Sequence, residues 1–133
     1  MFKTFATFIL LIFSLNIQAN KVEITNVVAH QKSDRTWTFA VTLKHGDIGW
    51  DHFANEWQVL APDGKVLATR TLFHPHVDEQ PFTRNTSGVK IPESMEIVRI
   101  IAKDSLHGTS NTAMQINLKT KELTPVKLKS KNK

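Results

Sequence analysis

From Lys21 onward, no stretch of this chain keeps apolar residues at a sustained helical spacing, which leaves strands as the means of burying a core. The clearest segment is RTWTFAVTL, residues 35–43. Trp37, Phe39, Val41 and Leu43 fall on one side of it, Thr36, Thr38 and Thr42 on the other. A period of two is that of a strand with one face buried and one face wet. Six further β-rich segments follow the same logic: residues 21–30, 56–61, 66–73, 82–91, 96–104 and 112–118. PDGK, residues 62–65, supplies a hairpin turn between two of them. Seven short strands predict an all-β fold, an immunoglobulin-like or fibronectin type III-like sandwich.

The two ends of the chain carry different signals. Residues 1–19 hold Lys3, an uncharged apolar run from about Phe5 to Leu15, and Ala19 at a plausible cut, which reads as a secretory signal peptide. An apolar run of this length falls short of the roughly 20 residues that span a bilayer. The expected location is therefore outside the cytoplasm, periplasmic or secreted. The sequence contains no cysteine, so the fold must rest on its core. The net charge of +5 is concentrated from Lys119 onward, where six lysines face Glu122 alone. Residues 20–118 hold ten basic and eleven acidic side chains, an almost neutral domain with no nucleic-acid motif. Residues 119–133 are accordingly expected to be a basic, disordered tail, and any membrane contact to come through it.

Strand alternation also predicts where the loops lie. With each strand reversing direction, KHGDIGWDHFAN, HPHVDEQP and DSLHGTSN fall at one pole of the sandwich. These loops carry five of the six histidines: His45, His52, His74, His76 and His107. Histidine is the commonest metal-binding side chain, and its arrival from separate loops suits a metal site. In HPH, proline favours extended backbone at His74, so His74 and His76 should present their rings to one side. Asp47, Asp51, Asp78, Glu79, Arg84 and Asp104 lie in or beside these loops, and are expected to orient the imidazoles or to shape the loops. His30 lies elsewhere and reads as structural. Trp37, Phe39 and Trp57 are expected in the core, whereas Trp50, Phe53, Phe73 and Phe82 flank the histidine loops and either pin them or line a shallow pocket.

The segment GVKIPESMEIVRIIAKD resembles the turn into the penultimate strand of fibronectin type III domains. GWDHFANEW, HPHVDEQPFTR and KDSLHG are similar to motifs of a family of small exported bacterial proteins. That resemblance spans most of the exported chain and implies a shared fold, but brings no catalytic residues with it.

Reaction chemistry finds little support. Ser105 near His107 lacks a nucleophile elbow, Asp78 and Glu79 point apart in an extended chain, and neither a phosphate-binding glycine loop nor a zinc-protease helix motif is present. No catalytic residue is assigned. Two readings of the histidine pole stay open. One is a site for Cu(II) or Zn(II), since the ligand set lacks cysteine and offers imidazole and carboxylate. The other is a binding module without metal, whose loops recognise another exported protein, a peptide or a glycan.

Overall fold

The structure, a computed structural model, describes residues 21–129; the segment read as a signal peptide lies outside them. Among the described residues there is no helix. The strands are β1 (Glu23–Gln31), β2 (Trp37–Lys44), β3 (Ala54–Leu60), β4 (Val66–Thr71), β5 (Phe82–Val89), β6 (Ile97–Asp104), β7 (Gly108–Thr109), β8 (Thr112–Asn117) and β9 (Leu123–Lys127). They form two antiparallel sheets, one ordered β1-β2-β5, the other β4-β3-β6-β8-β9 with the short β7 against β6. This is the immunoglobulin-like arrangement that the alternation predicts, with two strands beyond the expected seven.

Alternation decides which face of each strand is buried. In β2, Phe39, Val41 and Leu43 are fully buried while Thr38, Ala40 and Thr42 are only partly so. They join Trp57 and Val59 of β3 and Val98 and Ile100 of β6 in one cluster between the sheets. Each such side chain contributes roughly 1.5–3 kcal/mol by leaving water, which lets the domain stand without disulfides. Trp57 and Phe39 occupy the centre as expected; Trp37 is only half-buried at the edge of the core.

The pairing registers place the functional loops. Lys44 pairs with Glu23, Leu43 with Phe82, Ala54 with Asp104, and Asp104 with Gly108. The chain therefore leaves β2, enters β3, enters β5 and leaves β6 at the same end of the sandwich. At the opposite end, Gly64, with φ of 92°, closes the β3–β4 turn, and its N–H donates to the Ala61 carbonyl.

The expected tail needs correction. Residues 123–127 form β9, paired along β8 from Ile116↔Leu123 to Thr112↔Lys127. Lys119 bridges Glu96 at 2.7 Å, and the Lys121 ammonium donates to the Ala29 carbonyl while lying 4.8 Å from the Trp37 ring centre. Leu123 and Val126 are partly buried, and Pro125 is tolerated because β9 is an edge strand. Charge density suggested a tail; the apolar residues among the lysines are enough to hold a strand. Removing residues 121–133 should lower the melting temperature by roughly 5 °C or more, the equivalent of about 1 kcal/mol in a domain this size. An unchanged melting curve would show that β9 adds no stability.

Candidate metal centre

Three loops meet at the histidine pole: residues 45–53 between β2 and β3, 72–81 between β4 and β5, and 105–107 between β6 and β7. The first contains GWDH, a tight reversal. Gly49 has φ of 143°, the His52 N–H donates to the Gly49 carbonyl, and the Ile48 N–H donates to the His52 carbonyl. The fold-back turns His52 inward beside His45, their ring centres 4.8 Å apart.

His45 is held in one tautomer. Its Nδ1 lies 2.5 Å from Asp47 Oδ1, and the same oxygen accepts the Ala54 N–H at 3.0 Å. The other carboxylate oxygen of Asp47 accepts the His76 N–H at 2.7 Å. An ionised carboxylate only accepts, so Nδ1 of His45 is the donor, and in the neutral ring Nε2 carries the lone pair. That lone pair faces Asp104 Oδ2 at 3.6 Å, in a pair whose side chains are both 0% exposed.

Asp104 is the hub of the group. Its Oδ1 accepts the N–H groups of Leu106 and His107. Its Oδ2 faces three imidazoles: His107 Nδ1 at 3.2 Å, and the Nε2 atoms of His45 and His52 at 3.6 Å each. Burial works to raise the Asp104 pKa, but the amides of His107 and Leu106, with the His107 ring, outweigh it and hold the carboxyl below its ordinary value. A carboxylate is thus maintained where two imidazole nitrogens arrive without hydrogen-bond partners. At 3.6 Å neither nitrogen is hydrogen-bonded to it.

Unpartnered buried polar atoms are rare and costly, and these converge. One ligand atom from each of His45, His52 and Asp104 lies within 4.8 Å of the others, and all three residues are buried. For ligands at about 2.0–2.1 Å from a tetrahedral ion, neighbouring donors stand about 3.3 Å apart. The two 3.6 Å separations are close to that edge length. The group is a two-histidine, one-carboxylate arrangement with His107, whose ring centre lies 4.8 Å from that of His52, at its solvent side.

The HPH pair has another environment. The rings of His74 and His76 do approach, with centres 4.6 Å apart, but neither joins the group around Asp104. His76 is buried and stacked on Phe82 at 4.0 Å, and Arg84 Nη2 lies 2.9 Å from its Nε2. A guanidinium can only donate, so this nitrogen's lone pair is taken. Burial first, then the charges of Arg84 and His74, lower the pKa of His76 and keep it neutral. His74 is exposed.

The remaining predicted residues divide between clamps and surface. Arg84 also reaches Glu79 at 3.3 Å, and Arg84 holds the Glu79 carboxyl below its usual pKa. Asp51 and Asp78 are exposed, outside the group. Phe82 packs in the core, but Trp50 and Phe73 are about 70% exposed or more, so they do not pin their loops. His30 is exposed on β1, where it pairs with Thr38 away from this pole. Sequence reasoning missed Gln80. Its Oε1 accepts the His45 N–H and its Nε2 donates to the His76 carbonyl, both at 2.9 Å, which joins two loops through one side chain. Ser105 similarly exchanges bonds with Phe53. No local pattern in the sequence marks either bridge.

No family model matches the chain, and no solved structure matches it. A protein of Halomicrobium mukohataei described as "Putative lipoprotein" is 35% identical over 100 residues, covering 75% of this chain and 47% of that protein. The chain thus spans about half the length of the curated relative it matches.

The Asp47 carboxylate satisfies two amides and one imidazole, so Asp47→Leu should cost on the order of 2–4 kcal/mol, read by denaturant unfolding; a loss under 0.5 kcal/mol would contradict its bridging role. The lowered pKa of His76 also has a sign. Above the ordinary value of 6.5 both folded and unfolded states leave His76 neutral, and it contributes no pH dependence. As pH falls below 6.5 the unfolded chain takes up the proton more readily, so stability declines. In His76→Asn the decline between pH 6.5 and 5 should be shallower than in the parent, and a parallel curve would remove His76 as a contributor.

Proposed function

We propose that this protein is an exported β-sandwich that holds a divalent transition-metal ion, Cu(II) or Zn(II), between His45, His52 and Asp104. The observation that carries the reading is the convergence of two unpartnered, buried Nε2 atoms on a carboxylate that the fold keeps ionised. A cation satisfies all three at once. Asp47 then acts as the carboxylate behind a ligating histidine, fixing its ring and raising its basicity. His107 lies at the solvent side of the group, its Nδ1 3.2 Å from Asp104 Oδ2. Imidazole and carboxylate without thiolate suit Cu(II) and Zn(II) better than a soft ion. Export is supported by the N-terminal apolar run and by the lipoprotein description of the relative. The metal role is carriage, buffering or sensing.

Titration of the protein with Zn(II) and Cu(II) tests this. His45→Ala and His52→Ala should each weaken binding tenfold or more, about 1.4 kcal/mol, since each removes a ligand. His74→Ala and His30→Ala should change it little. Cu(II) bound at the centre should show nitrogen hyperfine coupling in its electron paramagnetic resonance spectrum. Binding should weaken as pH falls through about 6.5, where protons compete for free imidazole nitrogen. Saturating metal should raise the melting temperature, because the open chain lacks the assembled donors. If parent, His45 and His52 variants bind both ions equally weakly while remaining folded, the metal assignment fails, and the pole is a recognition surface alone.

A further inference from the structure

Seven large apolar side chains stand exposed among the described residues, and five of them, Ile48, Trp50, Phe73, Val77 and Leu106, belong to the three loops of the histidine pole. They flank the histidines in sequence: Ile48 and Trp50 precede His52, Phe73 precedes His74, Val77 follows His76, and Leu106 precedes His107. Packing does not account for them, since Trp50 is 69% exposed and Phe73 76%. Apolar side chains gathered on the tips of converging loops mark a contact surface.

The chain ends indicate what it contacts. The Ser110 hydroxyl donates to the Val22 carbonyl, so the chain enters β1 at this pole. The Leu128 N–H donates to the Asn111 carbonyl, so the chain leaves β9 at this pole as well. Lys21, Lys44, Lys127 and Lys129 are exposed there, and Lys131 and Lys133 follow in sequence. We propose that the histidine pole docks on an anionic lipid bilayer, with the exposed loop residues at the interface and Lys21, Lys44, Lys127 and Lys129 against the headgroups.

Tryptophan and phenylalanine favour the membrane interface, and lysines near an anionic leaflet add attraction. Carboxylates oppose it. Glu23, Asp51 and Asp78 are exposed at the same pole, while Glu79 is paired with Arg84. The basic excess is therefore modest. Apolar insertion must supply most of the attachment, and anionic lipid should strengthen it only severalfold. The proposal does not depend on the metal centre, and metal-free protein should dock alike.

Trp50 reports on it directly. The protein without residues 1–19 is mixed with vesicles of phosphatidylcholine and phosphatidylglycerol containing brominated acyl chains, and tryptophan quenching is measured. Trp57 is buried in the core and Trp37 lies at the far end of β2, so Trp50 should be the quenched residue. Trp50→Leu should remove the quenched component. Phe73→Ser with Leu106→Ser, both at exposed positions, should reduce quenching tenfold or more at limiting lipid while leaving the melting temperature unchanged. Pelleting with vesicles without Trp50 quenching would overturn the proposal, since the chain would then be held by another segment alone. Absence of vesicle binding would overturn it too, and a concentration-dependent dimer abolished by the same double substitution would assign the surface to a second copy.

Discussion

The Asp47 carboxylate is the point on which the pole depends. It lies in the loop after β2, yet its two oxygens hold the first residue of β3, the His45 ring and the backbone of the β4–β5 loop. Loops are ordinarily the least ordered part of a sandwich because their amides face water. Here a buried acceptor takes those amides instead, and Gln80 repeats the device between His45 and His76. The outcome is a buried polar interior between loops beside the apolar interior between sheets. Without it, His45 would have neither a set tautomer nor a set direction.

A second carboxylate completes the pattern. Asp104 ends β6, so its position comes from the sheet and its ionisation from the turn that follows. Asp47 and Asp104 flank the His45 ring on its two nitrogens, and they act oppositely. One takes a proton's hydrogen bond; the other faces a lone pair. That asymmetry separates this cluster from a simple hydrogen-bonded network, in which each buried nitrogen would meet a complementary partner.

Much of the fold was legible because alternation is a local property. Phe39, Val41 and Leu43 announce the buried face of β2, and reversal of successive strands gathers the histidine loops at one end. β9 was obscured because lysines crowd the segment around it, six of them in residues 119–133, although Leu123 and Val126 needed only one neighbouring strand to settle against. Within the site, the sequence showed which residue types come together but not which atoms face each other. The spacing in HPH does bring His74 and His76 side by side. The partner of His76 comes from Arg84 on β5, however, and no local rule foresees that guanidinium. Asp104 read as a supporting acid for a comparable reason: its central place follows from pairing with Ala54, a relation between strands 50 residues apart.

The pole inverts the usual order of a soluble domain. Ionisable groups lie inside and large apolar side chains lie outside, on the same loops. One physical link joins the two layers. The Asp104 oxygen that holds the amides of Leu106 and His107 belongs to the same carboxylate that faces the imidazoles. Anything that fixes the carboxylate also fixes the turn carrying Leu106, an exposed apolar residue. An ion drawn to Oδ2 would leave Oδ1 to keep those amides. In this arrangement the inner group and the outer turn share a single side chain, placed by a central strand.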